Sequence, residues 1–344
     1  MTNPPFFIAG TGAALPGSPV SNDEMAEVLG VSPQWMELFS GIRCRHLCWD
    51  PATGDLTHSL ADLCEEAADA ALNAAGLSPS DLDFLILSTS TPDTLLPTTA
   101  TVAADRLGLK GLPVYQLQAG CSGAVQALEM AGALIAAGRR TGLVVGGEVT
   151  DRFLDISRRP AALPGDDSAG CLLLGDAAGA AAITADPVGA CLAVSGLVHR
   201  FEGLGRAPGR IVDWNGAGQA GPGRRMLYED HEAVGACVPA LAVDVLDAVL
   251  AGVDWQWAEI RYLLPPQLSG RTAERFAAGL GMEGPHEISC VAETGNAASA
   301  LPLLQLDRLA AEAEEGDRAV ALVVEPSKWI VAGLALERVR PAAP

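Results

Sequence analysis

The sequence predicts an α/β protein built as two similar halves, and two observations carry that reading. Short apolar runs of strand character alternate with alanine-rich stretches of helical period, the pattern of a largely parallel sheet covered by helices. The order of parts also repeats, as in a duplicated unit. In residues 1–185, Gly120-Cys121 opens a helix that closes near Gly138, and a strand follows at 142–145. In residues 186–344, Gly295-Asn296 opens a helix that closes near Glu315, and a strand follows at 319–324. Each half carries a further strand about 30 residues earlier, at Phe84 and at Tyr262. The repeat sets Cys121 and Asn296 in matching positions about a pseudo-twofold axis, with two helix N-termini facing one central site.

In chain order, residues 6–13 form an apolar strand ending in Gly-Thr-Gly, and residues 21–29 a helix capped by Ser21 or Asn22 with acids in its first turn. Residues 58–75 are helical, 84–89 a buried strand and 97–107 a helix. Residues 112–117 form the strand that leads into Cys121, and residues 124–137 the buried helix behind it. Strands follow at 142–147 and from 171 onward. In the second half, strands at 191–198, 262–264, 319–324 and 330–336 alternate with helices at 232–250, 271–280 and after Ala300 to Ala313. Residues 206–225 are Gly-rich and polar, a loop region.

Composition limits the function. Of 344 residues, 49% are hydrophobic and 19% charged, which supports a large core. A net charge of −20 argues against nucleic-acid binding, which needs a basic footprint. The eight cysteines are scattered through mostly apolar runs and read as reduced intracellular thiols. Cys44, His46 and Cys48 cluster, but no second ligand pair follows at zinc spacing, so no metal site is expected. No basic-then-apolar leader opens the chain, and no uninterrupted apolar run of about 18 residues occurs. The expectation is a cytoplasmic protein without a membrane segment.

The chemistry centres on Gln118-Ala119-Gly120-Cys121-Ser122-Gly123-Ala124. A cysteine at a strand-to-helix turn meets free N–H groups and the positive end of the helix dipole, which favour a thiolate. The flanking glycines let backbone and substrate approach the sulfur. The bland reading, a small buried apolar residue, is the usual state of free cysteine.

Several motifs together resemble the ketoacyl-ACP synthase III (FabH-like) branch of the thiolase superfamily over nearly the whole chain. They are Ile8-Ala9-Gly10-Thr11-Gly12 with Leu15-Pro16, Ser40-Gly41-Ile42-Arg43-Cys44-Arg45-His46, Ser90-Thr91-Pro92-Asp93 with Leu96-Pro97, Gly120-Cys121-Ser122-Gly123, Gly175-Asp176-Ala177-Ala178-Gly179-Ala180 and Gly295-Asn296-Ala297-Ala298-Ser299. The resemblance implies the duplicated, five-layered αβαβα thiolase fold and a homodimer supplied by acyl-CoA or acyl carrier protein. It implies Cys121 as the acyl-accepting nucleophile, Asn296 as a catalytic partner, and the Cys121 and Ser327 N–H groups as the oxyanion hole. Trp35 and Arg152 fall where relatives hold the CoA adenine and phosphate end. His46 matches a structural position. No cofactor beyond the thioester substrate is implied.

Two departures redirect the reading. Where condensing relatives carry Pro-His-Gln, this chain reads Pro265-Pro266-Gln267, and proline's side chain can neither donate nor accept a hydrogen bond. His and Asn jointly stabilise the enolate formed when a malonyl thioester loses CO₂, and losing one such donor costs roughly 10²–10³ in rate. Where relatives carry a Gly-rich loop, this chain reads Glu325-Pro326-Ser327-Lys328-Trp329. Glu325, Lys328 and Trp329 then either contact an unusual acceptor or belong to a loop turned outward. His199, ending the first strand of the second half, is the candidate replacement base, since strand ends collect sites in such folds. The sequence therefore predicts an acyltransferase of secondary-metabolite type. It would load an acyl group on Cys121 and pass it to a hydroxyl, amine or carrier thiol without decarboxylation. The alternatives are a decarboxylative ketoacyl synthase and a non-catalytic subunit of a hetero-oligomeric synthase.

Overall fold

A computed structural model describes residues 6–150, 172–213, 227–280 and 284–339. The strands are β1 (Phe6–Ala14), β2 (Val20–Ser21), β3 (Cys44–Arg45), β4 (Leu85–Ser88), β5 (Val114–Leu117), β6 (Thr141–Glu148), β7 (Ala177–Thr184), β8 (Leu192–Phe201), β9 (Arg210–Val212), β10 (Leu227–Glu229), β11 (Tyr262–Leu264), β12 (His286–Glu287), β13 (Arg318–Glu325) and β14 (Ile330–Arg338). Ten of them form one mixed sheet in the order β12-β11-β13-β14-β8-β1-β7-β6-β4-β5.

That order is a duplication. From one edge, β5-β4-β6-β7-β1 runs parallel, parallel, antiparallel, antiparallel. From the other edge, β12-β11-β13-β14-β8 runs through the same sequence of directions. The halves meet where β1 pairs antiparallel with β8 over Phe6 to Ile8.

Helices complete the layers. Leu60–Ala75 covers β1, β6 and β7 on one outer side, and His231–Val253 covers β8, β13 and β14 on the other. Gly123–Ala136 and Leu301–Glu312 lie between, each touching strands of both halves. β7 reads Ala-Ala-Gly-Ala-Ala-Ala-Ile-Thr because Leu60–Ala75 and Leu301–Glu312 both pack on it, and only small side chains leave room. Close approach also explains the glycines of β1: a Cβ on Gly12 would stand 2.4 Å from the Ala67 carbonyl oxygen. The helix starts follow local chemistry. Ser21 with Glu24, and Ser59 with Asp62, close capping boxes.

One expectation needs correction. The segment read as a loop at 206–225 contains β9, which pairs antiparallel with β10 to form a separate ribbon. Strands of three residues beside Gly205, Pro208 and Gly209 carry no legible periodicity. The expectation of no uninterrupted apolar run of about 18 residues holds, because Asp244 and Asp247 break the most apolar long helix. His231–Val253 has 23 residues, and an 18-residue stretch of it has a mean hydropathy of 1.9, enough to cross a membrane by length and composition alone. Its apolar face, Val234, Val238, Leu241, Val245 and Val249, is buried against the sheet, as in a core helix.

Candidate active site

β5 ends at Leu117, and a 3₁₀ turn, Gly120–Ser122, opens the helix Gly123–Ala136. Cys121 is the middle residue of that turn and is 7% exposed. In the second half the corresponding 3₁₀ turn is Ala298–Ala300, opening Leu301–Glu312, and the two turns touch. The residue that matches Cys121 by position is therefore Ser299, three beyond Asn296. The repeat located the right turn but set the register three residues early, because the short polar approach to each helix has no period to count.

Asn296 is fully buried and lines the same cavity as Gly120, Glu325 and Ser327, a space of about 360 Å³. Its side chain is engaged on both sides. Nδ2 donates to the Leu268 carbonyl at 3.0 Å, and Oδ1 accepts the Ala298 N–H at 2.9 Å. Cys121 itself lines an adjoining crevice with Gln267, Leu268 and Ala298. Pro266 is buried just after β11. Its neighbour Gln267 remains a structural brace. Its Oε1 accepts the Cys290 and Val291 N–H groups at 2.7 and 2.9 Å, satisfying the start of the helix Val291–Thr294.

The turn after β13 points inward. Glu325 is buried, and its carboxylate spans the two N–H groups expected to form the oxyanion hole. Oε2 accepts from Cys121 at 2.5 Å, and Oε1 accepts from Ser327 at 2.8 Å. Trp329 is buried with Nε1 donating to the Ala207 carbonyl at 2.7 Å, and Gly209 N–H donates to Pro326 O at 3.0 Å. Lys328 instead reaches out to the Arg206 carbonyl.

This arrangement corrects the expectation of a thiolate at Cys121. Burial pushes the thiol well above its ordinary value, the Glu325 carboxylate adds to the effect, and Arg210 works against it. The turn's N–H is present, but an anion already occupies it, so its positive potential is cancelled before it reaches the sulfur.

Arg210 on β9 lines the cavity and is buried. Burial pulls the guanidinium down, but the Glu229 carboxylate of β10, acting with the other acidic groups around it, raises it above its ordinary value and keeps it charged. Nε donates to Glu229 Oε2 at 2.6 Å. Glu229 in turn faces burial, which would raise it, but the Arg210 charge together with the hydrogen bonds from His231 and Arg210 holds it at about 2. His231 Nδ1 contacts Glu229 Oε1 at 3.0 Å, and the His231 ring meets Phe39 edge-on with centroids 5.4 Å apart. Phe39 stacks on Trp35, a residue that is 44% exposed. One chain of contacts thus runs from the exposed Trp35 to the Cys121 cavity. Sequence reasoning missed Arg210 and Glu229. The available signal was a basic residue inside Gly209-Arg210-Ile211-Val212, in a chain with few cations.

His199 does not join the group. It lies on β8 opposite Ala332, its Nδ1 contacts Glu129 Oε2 at 2.8 Å, and it is not among the residues lining the cavity. Arg152 lies outside the described residues. His46 fills the expected core role, buried with Nδ1 3.0 Å from the Pro16 carbonyl. Glu148 also reaches the cavity; burial pushes it up to about 7 although Ser90, Thr91 and Ser299 all donate to it.

The fold is the α/β thiolase fold, with Cys121 buried in the turn that opens the helix Gly123–Ala136. A model of the 3-oxoacyl-[acyl-carrier-protein] synthase III family matches residues 115–195. The beta-ketoacyl-[acyl-carrier-protein] synthase III of Neisseria meningitidis is 31% identical over 309 residues, 87% of this chain and 88% of that protein. The chain therefore belongs to the β-ketoacyl-[acyl-carrier-protein] synthase III family, whose members are transferase-type enzymes. Among solved structures, AbyA1, a tetronic acid condensing enzyme, is 42% identical, with TM-score 0.92 over 96% of this chain and 99% of that one. The Pseudomonas aeruginosa synthase III is 28% identical, with TM-score 0.81 over 99% and 100%.

Proposed function

We propose that this chain takes an acyl group onto Cys121 from a thioester of coenzyme A or a carrier protein. It then hands that group to a nucleophile without loss of CO₂. In the first step the Cys121 sulfur adds to the thioester carbonyl, the C–S bond to the donor breaks, and the donor leaves as a thiol after gaining the Cys121 proton. In the second, an acceptor loses a proton, attacks the Cys121 thioester and expels the cysteine sulfur, which regains a proton.

The observation that carries this reading is Pro266 beside an Asn296 amide already tied to Leu268. Among the described residues, no His–Asn pair lines the cavity to hold a malonyl-derived enolate. An acceptor carbon flanked by two carbonyl groups needs no such pair, because its hydrogen is already acidic. The acceptor class accordingly extends from hydroxyl, amine or thiol to such a carbon acid. The name of AbyA1, a tetronic acid condensing enzyme, supports this widening. Cys121 directly follows Gly120, which lines the cavity of about 360 Å³, and this placement speaks against a non-catalytic subunit. The enzyme is read as cytoplasmic, homodimeric and free of resident cofactors.

Family membership favours a second reading, decarboxylative condensation with malonyl carrier protein. Intact-mass measurement after incubation with acyl donors, on wild type and Cys121→Ala, tests the first step: an adduct is expected only on wild type. Release of CO₂ from a malonyl thioester in step with product would establish the second reading instead.

A further inference from the structure

Glu325 closes β13 and faces the nucleophile of the other half. Each carboxylate oxygen takes one backbone donor, Oε2 from Cys121 and Oε1 from Ser327. Those are the donors a thioester oxygen needs during attack. The approach depends on Gly120: a Cβ there would lie 2.0 Å from Oε2, and its φ of +53° already suits glycine. The charged or titratable groups around the carboxylate are Cys121, Arg210 and Glu148. Among the described residues no imidazole lines this cavity, and the position of the family's histidine is Pro266.

We propose that Glu325 is the acid–base residue of this active site and that its hold on the Cys121 and Ser327 N–H groups keeps the oxyanion hole closed until it accepts a proton. The inference rests on the acyl-enzyme reading above. As the sulfur attacks, its proton passes to Glu325. The neutral carboxylic acid is a weaker acceptor than the carboxylate. It releases the two N–H groups to the oxygen that is becoming an anion. When the tetrahedral adduct collapses, Glu325 returns the proton to the departing thiolate and regains both donors. In the second half-reaction it takes the acceptor's proton and gives it to the Cys121 sulfur. Protons balance in each half. Arg210 stays charged throughout and offsets the carboxylate in the resting site.

A static clamp and a base make opposite forecasts. If Glu325 only clamps, removing its charge eases thiolate formation and Cys121 reacts faster at neutral pH. If it is the base, removal slows the reaction. The test is alkylation of Cys121 by chloroacetamide, a neutral electrophile that needs no acyl donor, followed by mass on intact protein. At pH 7, Glu325→Gln is expected to react about 10²-fold slower than wild type, the lower end of general-base effects. At pH 10 the gap is expected to close. Glu325→Ala is expected to be slow at pH 7 and partly restored by added formate. Equal or faster alkylation of Glu325→Gln at pH 7, or a Glu325→Ala rate equal to wild type and indifferent to formate, overturns the proposal. A wild type that alkylates faster than Glu325→Gln but takes no acyl group from any thioester would leave Glu325 as the base and sink the acyl-enzyme reading instead.

Discussion

The Asn296 side chain is fastened to the loop that carries Pro266: its Nδ2 donates to the Leu268 carbonyl at 3.0 Å while its Oδ1 holds the Ala298 N–H. A primary amide has two N–H groups, and one of them is spent on backbone. The residue thus acts first as a brace between the Pro265-to-Leu268 loop and the turn facing Cys121. Restoring the family's histidine alone therefore does not restore the enolate site. Pro266→His is expected to leave CO₂ release from a malonyl thioester at background. A working His–Asn pair would raise it roughly 10²–10³-fold, and that gain in a radiolabelled CO₂ assay would show that Asn296 is available after all.

Arg210 and Glu229 form the buried ion pair of the cavity wall, and its pH behaviour follows from the direction of the shift. Glu229 is held at about 2 in the fold, below its ordinary 4.5. A depressed carboxylate stabilises the fold fully above its unfolded value and loses that contribution as pH falls through the folded one. Stability is expected to decline from about pH 4.5 toward pH 2. Arg210→Met strands the carboxylate and is expected to cost about 3–5 kcal/mol at pH 7, flattening the acid limb. Urea melts of both proteins at pH 7, 5 and 3 check this; a variant as stable as wild type at pH 7 would mean that the pair contributes nothing net.

His199 tests how far strand-end reasoning reaches. Its ring is engaged by Glu129 of the helix behind Cys121 and is not part of the cavity lining. His199→Ala is expected to retain kcat within about twofold and to lose at most about 1 kcal/mol of stability, the value of a partly exposed ion pair. A 10²-fold fall in kcat with unchanged stability would return His199 to the role of base.

These cases show what the sequence made legible. The alternation of strands and helices and the repeat were visible because apolar periodicity survives without tertiary context. Cys121 was visible because its turn is marked by glycines. The state of its thiol was not, because that depends on Glu325, which lies 204 positions away and arrives through the strand pairing of the other half. Arg210 and Glu229 were hidden for the same reason. Ribbon pairing brings them together across an intervening segment, and neither three-residue strand has a period to recognise. The offset between Asn296 and Ser299 likewise follows from counting along a turn rather than along a helix.

Trp35 is the exposed end of the contact chain that leads through Phe39 and His231 to Glu229, and its role can be separated from the chemistry. Its ring lies parallel to Phe39 with centroids 5.1 Å apart, and the residue is exposed enough to meet a flat aromatic group such as adenine. Ring-on-base stacking is worth about 1–3 kcal/mol. Trp35→Ala is therefore expected to raise KM for an acyl-CoA donor about 10-fold, since each 1.4 kcal/mol is a factor of ten. The same acyl group on pantetheine, which lacks the nucleotide, should keep its KM, and kcat should stay unchanged for both donors because the ring is remote from Cys121. An equal rise for the two donors would mean that Trp35 shapes the entrance rather than holding the nucleotide. No rise for either would mean that the donor approaches by another face, with delivery by carrier protein the remaining route.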